Sequence, residues 1–138
     1  KLNQNEKFSI ISQTTQSTDN FLDAVKAILE KMPKELRVIN TICRDVEERQ
    51  DATRALAKGV DAVLVVGGRN SANTKRLFEI CKRISGNSHL VETEKELKRS
   101  WFKGARVIGI TSGASTPDWI VKRVADKIKK ERGCVINE

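Results

Sequence analysis

Tyrosine is absent from these 138 residues, and two Trp and four Phe are the remaining aromatics. A binder of single-stranded nucleic acid needs stacking aromatics interleaved with its basic residues, and 4% aromatic content does not supply them. The cysteines number three, Cys43, Cys81 and Cys134, with no C-x-x-C spacing and an odd count. That excludes a disulfide framework and points to a reducing, cytoplasmic compartment. No apolar run approaches the ~20 residues that a membrane span requires, and no basic-then-apolar leader opens the chain. Neither G-x-G-x-x-G nor G-x-x-x-x-G-K-[ST] is present, so the two commonest nucleotide-binding turns are missing. The chain opens at Lys1 without Met, and we expect it to be a portion of something longer.

Positive charge is plentiful. The net charge is +8, carried in part by Lys75, Arg76, Lys82 and Arg83 on one helix and by Lys122, Arg123, Lys127, Lys129 and Lys130 on another. Solvated helix faces account for such runs, and a basic nucleic-acid-associated domain fused to RNA-binding modules is the rival reading. In either case the field favours an anionic substrate. A hydrophobic content of 38% against 32% charged residues fits a soluble globular chain with one ordinary core.

One pattern occurs three times: an apolar strand, a tight turn of small residues, then a helix opening on hydroxyl and amide side chains. The copies are Phe8–Thr18, Ala62–Thr74 and Val107–Pro117. Ser, Thr and Asn at a helix start cap free backbone N–H groups, and the same groups hold phosphate. Capping alone explains any single copy. However, Asn70-Ser71-Ala72-Asn73-Thr74 after Gly67-Gly68, and Thr111–Thr116 before Pro117-Asp118, carry more polar groups than one cap uses.

The alternation continues along the chain. We expect strands at 7–12, 36–42, 61–67, 88–91 and 106–111. Helices are expected at 17–31, 45–58, 71–84, 93–98 (a short one) and 116–131. Gly59 and Gly133 read as C′ glycines, Pro33 follows the first helix, and Pro117 suits the first position of the last. The short apolar strands fit a parallel α/β sheet covered on both faces, with right-handed crossovers. Ligands in such sheets bind beyond the strand C-terminal ends, where the three turns and Cys43 fall. Cys81 shares an apolar helix side with Leu77, Ile80 and Ile84 and reads as a buried small hydrophobe; Cys134 gives no signal. Cys43 stands between a strand end and a helix start. That position suits thiolate ligation of a metal or cluster, and equally an inert core role.

Four segments in register resemble the LytB/IspH family, the iron–sulfur reductases of hydroxymethylbutenyl diphosphate in non-mevalonate isoprenoid synthesis. They are Gln13-Thr14-Thr15; Asn40-Thr41-Ile42-Cys43 with Arg49-Gln50; Val65–Asn73; and Gly109–Asp118. The resemblance implies three similar α/β domains arranged like a trefoil around a [4Fe–4S] cluster, each domain giving one cysteine. Cys43 matches the third of these ligands. Ser71, Asn73 and Ser115 match residues that hold the diphosphate, and Thr14 matches the catalytic threonine near the substrate hydroxyl. The implied partners are an allylic diphosphate substrate and an electron donor such as ferredoxin or flavodoxin. A membrane or nucleic acid is not expected as a partner.

The chain also departs from the family. Ala72 replaces a serine, and Arg44-Asp45-Val46 replaces the more usual Tyr-Ala-Thr. The lone histidine, His89, matches none of the family's diphosphate-gripping histidines. Neither Cys81 nor Cys134 matches a cluster ligand, and the proton-relaying glutamate has no counterpart. The resemblance therefore implies residues 1–42 as the end of the second domain, 43–133 as the third and 134–138 as a tail leading out. A chain with one cluster cysteine is expected to be inactive alone. A non-catalytic phosphate-binding α/β module is the alternative that the turns by themselves support.

Overall fold

A computed structural model describes residues 5–132 and 136–137. The chain forms two compact units, Lys1–Glu47 and Glu48–Glu138. It is an α/β protein with parallel strand pairing throughout.

The first unit is a β–α–β crossover. Strand β1 (Lys7–Ile11) leads through helix α1 (Thr18–Leu29) to strand β2 (Glu35–Ile39), which pairs in parallel from Lys7↔Glu35 to Ile11↔Ile39. Ser17 caps α1 by accepting from the Asn20 amide at 3.3 Å, as its hydroxyl predicts. The helix runs out at Leu29, and Met32 takes a left-handed φ of 50° just before Pro33. The expectation of strands covered on both faces fails here: Ile11 is 69% exposed, and Val38 and Ile39 are also exposed. Two strands and one helix provide a single covering layer within this unit, so an apolar strand stays open on its other side. Strand β2 also ends three residues before the expected 42, because Asn40 turns the chain by accepting from the Ile42 amide at 3.0 Å.

Helix α2 (Arg44–Lys58) leads into the second unit. There, strands β3 (Ala62–Val66), β4 (Ser88–Val91), β5 (Ile108–Ser112) and β6 (Ile136–Asn137) form a sheet in the order β4-β3-β5-β6, with helices α3 (Ala72–Ile84) and α4 (Asp118–Arg132) between them. Every residue of β3 is buried. Its alternate side chains enter two cores. Ala62, Leu64 and Val66 pack with Val124, Ala125 and Ile128 of α4 and with Phe102, while Val63 and Val65 pack with Leu77 and Cys81 of α3 and with Ala57 of α2. This is the doubly covered parallel strand that the unbroken apolar run predicts. A Cβ on Gly109 would lie 2.9 Å from Leu56 Cγ, so glycine permits α2 to approach β5 closely.

Other elements also differ from expectation: β5 starts at Ile108 rather than 106, and α4 at Asp118 rather than 116. The short helix expected at 93–98 is instead two 3-10 turns, Glu94–Glu96 and Arg99–Phe102, separated by extended Leu97 and Lys98. Thr93 makes no side-chain cap, and burying Leu97, Trp101 and Phe102 against the core decides the path. Strand β6 carries no recognisable pattern in its two residues; it joins the sheet through Ile108↔Ile136 and Gly109↔Asn137. Gly59 follows α2 directly without positive φ, so it is not a left-handed C′ residue; its amide closes the last turn onto Leu56 O at 3.0 Å. Gly133 and Cys134 lie outside the described residues. Among the described residues no helix is long and apolar enough to cross a membrane.

Candidate functional site: two polar strand-end clusters

In the first unit, parallel pairing carries the ends of β1 and β2 to the same side of their sheet. The segments beyond them are tied together. The Ser12 amide donates to Thr41 Oγ1 at 2.9 Å, and the Thr41 hydroxyl donates back to the Ser12 carbonyl. The Cys43 amide donates to the Thr14 carbonyl at 2.9 Å, so two of the sequence-selected residues, Thr14 and Cys43, are brought together. Both are exposed. The Cys43 carbonyl accepts from the amides of Val46 and Glu47, each at 3.1 Å, which makes Cys43 the residue from which α2 starts. Its free thiol stands at the positive end of the helix dipole.

Cys81 contrasts with it. It is wholly buried, and burial pushes its thiol up to about 11. Such a thiol is inert, as its apolar helix face predicts.

In the second unit the turns after β3 and β5 meet. The Gly113 amide donates to the Val66 carbonyl at 3.1 Å, and Thr116 Oγ1 donates to the same carbonyl at 3.1 Å. The turn bearing Ser71 and Asn73 is thus joined to the turn bearing Ser115. Ser71 is the N-cap of α3, accepting from the Thr74 amide at 3.3 Å. Asn73 lies one residue into the helix and is 6% exposed, yet neither its Oδ1 nor its Nδ2 has a hydrogen-bond partner. Buried amides are nearly always paired, so an unpaired one this deep stands out. Ser115 is exposed at the facing turn, and α4 begins at Asp118, one residue after Pro117. Gly67 adopts φ 152°, and a Cβ there would lie 2.7 Å from both Thr74 Oγ1 and Thr116 Oγ1. Glycine is what lets the two turns close on one another.

Sequence reasoning missed several supporting residues. Arg69 is held by carboxylates: its amide donates to Glu92 Oε1 at 2.7 Å, and its guanidinium pairs with Glu92 at 3.3 Å and with Glu96. The Arg69 hydrogen bond keeps the Glu96 carboxyl below the usual carboxylate range. Arg49 Nη1 reaches the Ser112 carbonyl at 3.4 Å, and Thr53 pairs with Thr111 at 2.9 Å, fastening α2 to the end of β5. Arg49 and Thr111 stand in segments quoted above, but their pairings, like those of Arg69, are long-range and without a period, so sequence spacing carries no trace of them. Thr74 did leave a signal: it falls three residues before Leu77 and seven before Cys81, on the apolar side of α3.

A family model described as LytB protein matches residues 1–129. The chain belongs to the LytB family. Among LytB relatives, a protein of Anaeromyxobacter sp. (strain K) named 4-hydroxy-3-methylbut-2-enyl diphosphate reductase is 53% identical over 120 residues, covering 87% of this chain and 43% of that relative. One of the same name from Campylobacter concisus (strain 13826) is 46% identical over 125 residues, covering 91% of this chain and 45% of the relative. The solved structure of the E-1-hydroxy-2-methyl-but-2-enyl-4-diphosphate reductase from Plasmodium falciparum superposes with a TM-score of 0.87 at 25% identity, covering 99% of this chain and 44% of that one. The chain thus spans less than half the length of the LytB proteins it matches.

Among the described residues no group of three or more His, Cys, Asp or Glu side chains could hold a metal ion. Cys43 fits one position of a cluster, as an exposed thiol at a helix start, and the described residues offer no second thiol beside it.

Proposed function

We propose that this chain forms the end of the second domain (1–42) and the third domain (43–133) of a 4-hydroxy-3-methylbut-2-enyl diphosphate reductase acting in the cytoplasm. The reaction removes the allylic hydroxyl as water, with two electrons and two protons taken up, and yields isopentenyl and dimethylallyl diphosphate. A ferredoxin or flavodoxin is the proposed electron donor. The observation that carries the substrate assignment is Asn73, a buried and unpartnered amide in the first turn of α3 beside a glycine turn. Diphosphate oxygens would accept from Asn73 Nδ2, from helix-start amides and from the Ser115 hydroxyl. Ser71 serves in two ways, because its oxygen accepts from the Thr74 amide while its proton remains free to donate to an anion.

Cys43 would hold one iron of a [4Fe–4S] cluster whose remaining thiolates come from outside this chain. When bound, that cluster supplies the electrons and a Lewis-acidic iron. Cys43 is exposed at the start of α2, where its thiol is open to such a cluster. Thr14, bonded through its carbonyl to the Cys43 amide, would orient the substrate hydroxyl.

The test is pyrophosphate and substrate affinity in the complete reductase for Asn73→Ala and Ser115→Ala. Each should weaken affinity by roughly 1–3 kcal/mol, since a phosphate oxygen loses a donor. Each should leave the thermal midpoint nearly unchanged, because neither side chain makes an internal bond in support of the fold. Unchanged affinity in both variants contradicts the assignment.

A further inference from the structure

Thr74 is fully buried, and its hydroxyl has no hydrogen-bond partner among the described residues. Valine has the same shape and would fill the same space without stranding a buried hydroxyl. Packing therefore explains the methyl group of Thr74 and not its oxygen. The oxygen is wedged between the two turns: a Cβ on Gly67 would approach it to 2.7 Å, and one on Gly113 would overlap it. Opposite, Thr116 Oγ1 and the Gly113 amide both bond the Val66 carbonyl. The unpaired Asn73 amide is its neighbour on the same helix turn, so three unsatisfied polar atoms lie within two consecutive residues.

We infer that Thr74 is a positioning residue of the anion site: its buried hydroxyl spaces the two glycine turns and becomes hydrogen-bonded only when an anion draws them together. This inference rests on the reading of the turns as a diphosphate site. A hydroxyl can rotate to donate to a turn carbonyl or accept from a turn amide, so a small closure is enough to satisfy it. The desolvation cost carried by the unfilled site is then recovered on binding, which raises anion affinity at the expense of stability.

The test uses the complete reductase and inorganic pyrophosphate as probe. Thr74→Val should match or exceed the wild-type thermal midpoint without pyrophosphate, and should bind pyrophosphate about tenfold more weakly, the effect of one lost bond near a charged group. Its KM should rise while kcat stays within about threefold. Thr74→Ser, which keeps the hydroxyl, should stay within about threefold of wild-type affinity. Wild-type affinity in Thr74→Val, or an equal loss in Thr74→Ser, overturns the inference. If Thr74→Val does not fold, Thr74→Ser and Thr74→Ala differ only in the hydroxyl; Ser should bind about tenfold more tightly than Ala, and equal affinity overturns the inference. Asn73→Ala in the same series separates the two claims. If it weakens binding and Thr74→Val does not, only the role of Thr74 fails. If it and Ser115→Ala too leave binding intact, the diphosphate reading fails.

Discussion

At the scale of residues, hydroxyl and amide side chains that look equivalent in the sequence have different work. Ser17 and Ser71 are caps. Asn73 is too deep to be a cap and has nothing to pair with, which is why it bears the weight of the ligand assignment. The same contrast separates the thiols. Burial holds Cys81 at about 11, while Cys43 is exposed at a helix start. Brief iodoacetamide treatment of the folded protein at pH 8, followed by peptide mapping, should label Cys43 and leave Cys81 unlabelled until denaturant is added. Equal labelling would contradict the packing of α3. Cys81→Ser should lower stability by about 1–3 kcal/mol, since it buries a hydroxyl in place of a thiol among apolar neighbours. The caps and the buried thiol were legible because each depends on local spacing along one helix. The Arg69–Glu92–Glu96 group was not, because 23 residues separate the Arg69 amide from the Glu92 carboxylate that receives it.

At the scale of elements, β3 and β1 show what an apolar run does and does not determine. Both read as strands, and both are. Helices cover β3 on both faces, whereas β1 is half open, because covering layers depend on the rest of the chain and not on the run itself. The two residues of β6 are too few to show a repeating pattern, and the short helix expected at 93–98 is replaced by two 3-10 turns of three and four residues. A single carboxylate organises the near end of the second sheet. Asp61 Oδ2 accepts from the amides of Arg106 and Val107 at 2.7 and 2.8 Å, joining the approach to β5 to the start of β3. The Val107 bond, then the Arg106 bond, hold its carboxyl below the usual range. A depressed carboxylate contributes stability above its unfolded value, and that contribution is lost as pH falls through the folded one. Asp61→Ala should therefore lower the thermal midpoint at pH 7, and the gap to wild type should narrow as pH drops below about 4. His89, stacked on Trp101 at 4.0 Å, is held low by burial and then by Lys98, so its neutral form adds stability that fades as pH falls below its usual value. A gap for Asp61→Ala that stayed constant from pH 7 to 3 would mean the carboxylate's charge plays no part.

At the scale of the whole molecule, this chain has two joined polar turns and one exposed thiol at a helix start, and spans less than half of the LytB proteins it matches. Its single histidine sits in β4. The account thus assigns the chain a share of a reductase site. The most direct test is the complete reductase carrying Cys43→Ser, reconstituted anaerobically with iron and sulfide and assayed for bound iron, visible absorbance and turnover in one preparation. The account predicts a protein that folds, fails to assemble a normal four-iron cluster and has lost turnover. A Cys43→Ser protein with wild-type iron content, spectrum and turnover would contradict it.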